Sequence, residues 1–256
     1  MSKFVTVKSR KNLTTEQRFA YFLEKEKQDY LFCLNETLKF KPRYSLLIED
    51  DALVHDSFFD ILHHVINNKI EKRLLHDDYQ ILKENITYVK LYHPPRVNVY
   101  LGIEIHRIFE LIGVSFILGT LLHLSYLQAR GSSLNLACAS KTLLHFMFIL
   151  YAILVMCAIG RPYFLNLRTL FPPHLYNLVP ASECCTPAML FPYRGAHTVL
   201  SHLTNTTCRK HFGKDMALEG LRKNPRYQAY MVEPNLVTHI GMYSALRNKV
   251  LDSFVV

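Results

Sequence analysis

The chain contains no tryptophan, and Tyr126 and Tyr151 alone make no aromatic belt at a membrane surface. The apolar core that would follow a signal peptide's basic start is also lacking. The residues after Met1 are polar and basic, so either an internal segment is expected to target the chain or the true N-terminus is missing. Neither an internal repeat nor a low-complexity tract is present. The formal net charge is +9, but the basic residues are dispersed, and no nucleic-acid motif or aromatic–basic repeat accompanies them. Nucleic acid is therefore excluded as a partner. The positive charge is read as favouring an anionic membrane surface or a phosphorylated substrate. His63-His64, His197 and His202 lack the spacing of a zinc site and are read as structural or surface residues.

Charge itself is missing from two long stretches. Between Arg107 and Arg130 the only charged side chain is Glu110, and between Lys141 and Arg161 there is none. Ile108–Leu127 and Thr142–Gly160 each approach the roughly 20 apolar residues that cross a bilayer. One such run can be a buried core helix, but two in tandem with a short connector read as a transmembrane hairpin, with the lipid bilayer as a partner. Glu110 lies one turn from the membrane edge and can snorkel. His123 and His145 face each other or the interface.

A hairpin returns the chain to the side it left, so its two flanks share a compartment. Four N-glycosylation sequons, at Asn12, Asn35, Asn85 and Asn205, lie on these flanks and none lies in the connector Gln128–Lys141. The flanks are therefore assigned to the lumen and the connector to the cytoplasm, in agreement with Arg130 and Lys141 in the connector. Cys33, Cys184, Cys185 and Cys208 would then be lumenal, where disulfides persist. A bridge from Cys208 to Cys184 or Cys185 closes a short loop and is preferred, and a vicinal Cys184–Cys185 bridge is a strained alternative. Cys138 and Cys157 fall in the hairpin and read as packing residues.

The helical spacing of Phe19, Phe22, Leu23, Tyr30, Cys33 and Leu34 predicts a helix from Thr14 to about Lys41. Tyr44–Ile48 then reads as a buried strand, ended by Glu49-Asp50-Asp51. Two readings of these three acids stand open. They cap the helix that follows Ser57, through about Asn67, or they are hard oxygen ligands at the carboxyl edge of an α/β sheet, suited to Mn²⁺ or Mg²⁺. Ile86–Tyr92 alternates like a second strand. Beyond the hairpin, Leu178–Ala181 and Ala188–Pro192 are strand-like, and Thr198 to about His211 looks helical. Gly213-Lys214-Asp215 opens a helix through about Leu221, and Arg226–Val232 reads as a last strand. The organisation is an α/β domain split by a membrane hairpin.

The ordered segments EKEKQDYLFCL (Glu24–Leu34), LIEDDA (Leu47–Ala52), VPASECCTPAMLFP (Val179–Pro192), FGKDMAL (Phe212–Leu218) and VEPNLVTHIG (Val232–Gly241) closely resemble the Golgi transferases, among the post-GPI-attachment factors, that add a side-chain N-acetylgalactosamine to GPI anchors. The resemblance implies a GT-A-type domain interrupted by two transmembrane helices. Residues 1–106 would be its first lumenal part with the acidic metal motif, 107–161 the hairpin, and 162–256 the second lumenal part with acceptor and base elements. It also implies transfer of GalNAc from UDP-GalNAc to the first mannose of the GPI core, with inversion, by a multi-pass Golgi membrane enzyme whose catalytic domain is lumenal.

In that frame Glu49, Asp50 and Asp51 take the role of a DxD motif on the donor diphosphate. Asp51 would meet Mn²⁺ directly, with Mg²⁺ the other candidate, and His239 is a further candidate metal ligand. Asp215, at a helix mouth, is the candidate base. Lys214 would meet a phosphate or balance Asp215. Thr186, Pro187 and Ala188 would line the acceptor side, chiefly through backbone groups. Family members begin with an N-terminal anchor and a first βαβ part that holds uracil and ribose. This sequence opens just before the helix preceding the acidic strand, so that part is expected to be missing. The alternative is a catalytically incomplete membrane scaffold or regulatory fragment of the same enzyme. A two-helix channel ranks below both, because no selectivity-filter sequence lies between the helices.

Overall fold

Leu23, Lys27, Tyr30, Leu34 and Leu38 recur at three- and four-residue steps and are all buried, which gives the first helix, α1 (Thr15–Leu38), one face to pack. The computed structural model describes residues 15–71, 86–94, 99–100, 106–130, 138–182, 185–241, 243–244 and 249–250. After α1 come β1 (Tyr44–Ile48), β2 (Ala52–Val54), α2 (Phe58–Val65) with a π-helical continuation over Ile66–Glu71, and β3 (Ile86–Lys90). Two long helices follow, α3 (His106–Arg130) and α4 (Cys138–Ile159), then α5 (Arg161–Asn166), which runs into a 3₁₀ turn, Leu167–Leu170. The chain continues through β4 (Asn177–Pro180), β5 (Ala188–Pro192), α6 (Tyr193–Thr204), α7 (Lys214–Arg222), β6 (Gln228–Glu233) and β7 (Val237–His239). A last pair, β8 (Tyr243–Ser244) and β9 (Lys249–Val250), is antiparallel.

These elements divide into two compact units, Met1–His93 with Tyr176–Val256, and Pro94–Leu175. In the first, five strands form a mixed sheet in the order β1-β5-β3-β6-β4. Helices cover both faces, which makes the unit α/β. Alternation along the strands decides which residue goes to which face. Ala188 and Leu190 of β5 and Val89 of β3 join Phe58, Ile61, Leu62 and Val65 of α2 in one core. Met189, Phe191 and Tyr88 join Tyr30, Leu34 and Leu38 of α1, Val199 and Leu203 of α6, and Leu218 of α7 in the other.

The topology gathers three chain exits at one edge. β1 and β3 each run antiparallel to β5, and β3 is parallel to β6, so β1, β3 and β6 all end on the same side. The chain leaving β1 forms β2, the chain leaving β6 forms β7, and the two pair with Ala52 opposite His239. This small sheet was not foreseen, because three-residue strands are too short to show a period. It also separates the three acids from α2, whose only acidic first-turn residue is Asp60. The acids do not cap that helix.

One helix starts earlier than expected. The segment predicted from Thr198 to about His211 is α6, Tyr193–Thr204. Gly195, in its first turn, is required there by close packing: a Cβ would fall 2.3 Å from the Thr87 carbonyl oxygen.

In the second unit, Arg107, Leu111, Ser115, Gly119 and His123 form a buried stripe at four-residue intervals along α3. Across from it on α4 lie Ile149, Ala152 and Met156, of which Ala152 and Met156 are buried. The outer faces expose Phe109, Ile112, Phe116, Ile117, Leu121 and Leu124 on α3, and Phe146, Leu150 and Leu154 on α4. Both helices are long and apolar enough to cross a membrane. His123 and His145 do face each other, with their Nδ1 atoms 3.0 Å apart. Glu110 is not left to snorkel alone: Arg161 donates to its Oε2 from Nε (3.0 Å) and NH2 (2.8 Å).

At Gly119 an added Cβ would stand 2.6 Å from the Ile149 Cα. Backbone cannot swing aside as a side-chain tip can, so Gly119→Val must push the helices apart. We expect a loss of about 1–3 kcal/mol in hairpin stability, read as weaker disulfide trapping of cysteines engineered at facing positions.

Candidate functional site

Glu49 and Asp51 leave β1 on opposite sides of one turn, and each meets a different set of partners. The Glu49 N–H donates to the Pro187 carbonyl at 2.7 Å, extending the β1–β5 pairing by one step. This brings Thr186 beside the Glu49 side chain. The Thr186 hydroxyl, almost fully buried, lies 3.2 Å from Glu49 Oε1 and 3.0 Å from Asp215 Oδ1. A hydroxyl has one proton, so Thr186 donates to one of these carboxylates at a time. The Thr186 side chain thus links the two carboxylates. Ala188 lies inside β5 with its side chain in the core, which leaves its backbone to make any contact. Pro187 contributes its carbonyl.

Asp215 sits in the first turn of α7, where the helix dipole favours a carboxylate. Its neighbour Lys214 turns inward and keeps only 5% of its side-chain exposure. The Lys214 ammonium donates to Glu26 Oε1 (2.6 Å) and Glu49 Oε1 (2.8 Å) and lies 5.1 Å from the centre of the Tyr30 ring. Burial alone would disfavour its charge, but Glu49, Glu26 and Asp215 outweigh that and hold the ammonium above its ordinary range. Lys214 therefore has two of its three N–H groups on protein carboxylates. Burial, reinforced by Glu49 and Asp215, also pushes the Tyr30 phenol well above its usual value.

On the other side of the turn, Asp51 Oδ2 lies 3.1 Å from His239 Nε2. The β2–β7 register and a bond from the Ile240 N–H to the Asp51 carbonyl (2.8 Å) set this approach. An ionised carboxylate only accepts, so this contact places an imidazole proton on Nε2. Asp51 Oδ1 and His239 Nδ1 are both shielded from solvent and have no hydrogen-bond partner among the described residues. Asp50 points outward and is exposed. Among the described residues no three His, Cys, Asp or Glu side chains converge as a metal cluster.

Glu26 and Gly241 were missed by sequence reasoning. Glu26 lies among alternating Glu and Lys on a helix, a pattern that reads as a solvated face. Gly241 is needed for close approach: a Cβ there would fall 2.5 Å from Asp51 Oδ2 and 3.1 Å from His239 Cε1. Because the Asp51 carboxylate can rotate away, Gly241→Ala should spare the fold but disorder the pair. We expect little change in thermal midpoint, measured by differential scanning fluorimetry, and a shifted His239 imidazole resonance in NMR.

The cysteine expectation fails at Cys208. Cys33 and Cys208 are free, and burial pushes the Cys208 thiol up to about 11. Cys208 lies under α1, where its N–H donates to Glu24 at 2.9 Å. Cys185 is disulfide-bonded, and Cys184 lies outside the described residues. Of the four sequons, Asn35 and Asn205 are exposed, whereas Asn12 and Asn85 lie outside the described residues.

No solved structure matches the chain. The model of one protein family, described as GPI-N-acetylgalactosamine transferase PGAP4, matches residues 1–238. The match contains the three acids, Thr186, Lys214 and Asp215, and stops one residue short of His239. The chain belongs to the GPI-N-acetylgalactosamine transferase PGAP4 family, a family of glycosyltransferases.

Proposed function

We propose that this chain transfers N-acetylgalactosamine from UDP-GalNAc to the first mannose of the GPI-anchor core, with inversion, through a GT-A-like site. The observation that carries this reading is the bridge from Glu49 through Thr186 to Asp215 beside the Asp51–His239 pair, in a chain of this family. Asp215 is the base: it takes the proton of the acceptor hydroxyl as that oxygen bonds to the anomeric carbon. The bond from that carbon to the diphosphate breaks on the opposite face, UDP leaves, and the configuration inverts. Thr186 orients the Asp215 carboxylate, and Lys214 holds Glu49 in place.

Asp51 and His239 are the residues that would hold a divalent ion. Asp51 Oδ1 has no hydrogen-bond partner among the described residues, and ions of the Mg²⁺ type bind through one or two protein groups plus substrate phosphate oxygens. We propose Mn²⁺, with Mg²⁺ the other candidate. When bound, the ion would neutralise charge on the departing diphosphate. The exposed apolar faces of α3 and α4 support a membrane hairpin, which we propose lies in the Golgi membrane with both flanks lumenal. That arrangement would confine the site to the surface where a lipid-linked acceptor is concentrated.

Expression in cells that lack the GalNAc side chain on GPI tests the proposal. Mass analysis of the released GPI glycan should show the side chain restored. Its absence, despite folded and Golgi-located protein, would overturn catalysis by this chain and favour a scaffold role.

A further inference from the structure

We propose that α5 and the turn after it form an interfacial anchor, with Tyr163, Leu167, Leu170 and Phe171 set against the headgroup–acyl boundary of the bilayer. This rests on the reading of α3 and α4 as membrane spans. The segment is apolar on two faces. On the inner face Leu165 is buried and Phe164 packs on Tyr100, Leu111 and Met156. On the outer face, Tyr163, Leu167, Leu170 and Phe171 follow one another at helical steps of four, three and one residues. They are 72%, 54%, 68% and 66% exposed. A helix bathed in water would carry polar side chains on that face. Of the polar residues between, Thr169 turns its hydroxyl onto the Asn166 carbonyl at 2.6 Å.

Charge positions set the depth. Glu110 accepts from Arg161 at 2.8 Å and lies 3.7 Å from Arg168, and no other charged side chain lies between Arg107 and Arg130 or between Lys141 and Arg161. Charged groups gather where headgroups and water reach, so this cluster marks the end of the spans. The outer face of α5 begins at that level. Gly160, with φ of 86°, supplies the left-handed bend between α4 and α5 that other residues resist. The apolar face then continues the surface exposed by Leu154 and Ile159 at the end of α4. Bilayer is the occupant that continuity selects, with Tyr163 and Phe171 as the aromatic contacts.

The lack of native tryptophan makes a clean test. Full-length Phe171→Trp and Tyr163→Trp, each carrying a single indole, would be reconstituted in phosphatidylcholine vesicles. Leu124→Trp, on the exposed face of α3, serves as the reference for the span. Lipids brominated high on the acyl chain should quench most of the indole emission of the two α5 variants, and aqueous iodide little of it; lipids brominated deep in the chain should quench the α3 reference. If the reference is quenched by deep bromine while the two α5 probes are quenched by iodide alone, the anchor is overturned and the hairpin stands. If the reference too is quenched only by iodide, the membrane reading falls and takes the anchor with it.

Discussion

Asp51→Ala should lower transfer by about 10²–10³-fold, or roughly 3–4 kcal/mol of transition-state stabilisation, while leaving the metal-free fold as stable as before. The two halves of this expectation come from the same atoms. Asp51 Oδ1 is shielded from solvent without a hydrogen-bond partner among the described residues, and Oδ2 meets His239. Such an oxygen is costly in the absence of a ligand, so removing the carboxylate should not destabilise the metal-free protein. With a ligand the balance reverses. Wild type should gain thermal stability on addition of Mn²⁺, about 2.7 kcal/mol at one hundred times the dissociation constant, and Asp51→Ala should gain none. Differential scanning fluorimetry with and without the ion, beside a transfer assay, checks both halves. A variant that loses activity but keeps the Mn²⁺-dependent gain would remove Asp51 from the metal.

Asp215→Asn should cost about 10²–10⁴-fold in kcat with the KM for UDP-GalNAc unchanged. The amide keeps the shape of the carboxylate, and its oxygen can still accept from Thr186, which lies 3.0 Å from Asp215 Oδ1. What it lacks is the ability to take a proton. The fold should tolerate the change, because Asp215 is half-buried in the first turn of α7 and makes no contact with the Lys214 ammonium shorter than those of Glu26 and Glu49. Steady-state kinetics on purified protein would separate this from a binding defect: a large rise in donor KM at unchanged kcat would assign Asp215 to substrate binding instead.

The parts of this architecture legible in the sequence were those written in one continuous stretch. β1 and β5 fall on the predicted Tyr44–Ile48 and Ala188–Pro192, because each is a short, largely apolar run of strand length. The two long apolar helices were visible for the same reason. What escaped depends on residues far apart in the chain. His239 reaches Asp51 only through the pairing of β2 with β7, two strands of three residues from opposite ends of the domain. Thr186 looked like a turn residue until the β1–β5 register set its hydroxyl between two acids. Glu26 was hidden in a charged helix, since only the folded position of Lys214 distinguishes it from its neighbours. The acids, Thr186, Lys214 and His239 could be named from sequence, but which of them meet had to come from topology.

Two sets of groups, a bridged pair of carboxylates and an Asp–His pair, are joined by the short step from Glu49 to Asp51. In this account they act together on one inverting transfer. NMR of the product from purified protein, UDP-GalNAc and a GPI-core mannose acceptor tests this most directly. The account predicts a β-linked N-acetylgalactosamine, formed with Mn²⁺ and abolished by chelation. An α-linked product, or undiminished transfer after chelation, would contradict it.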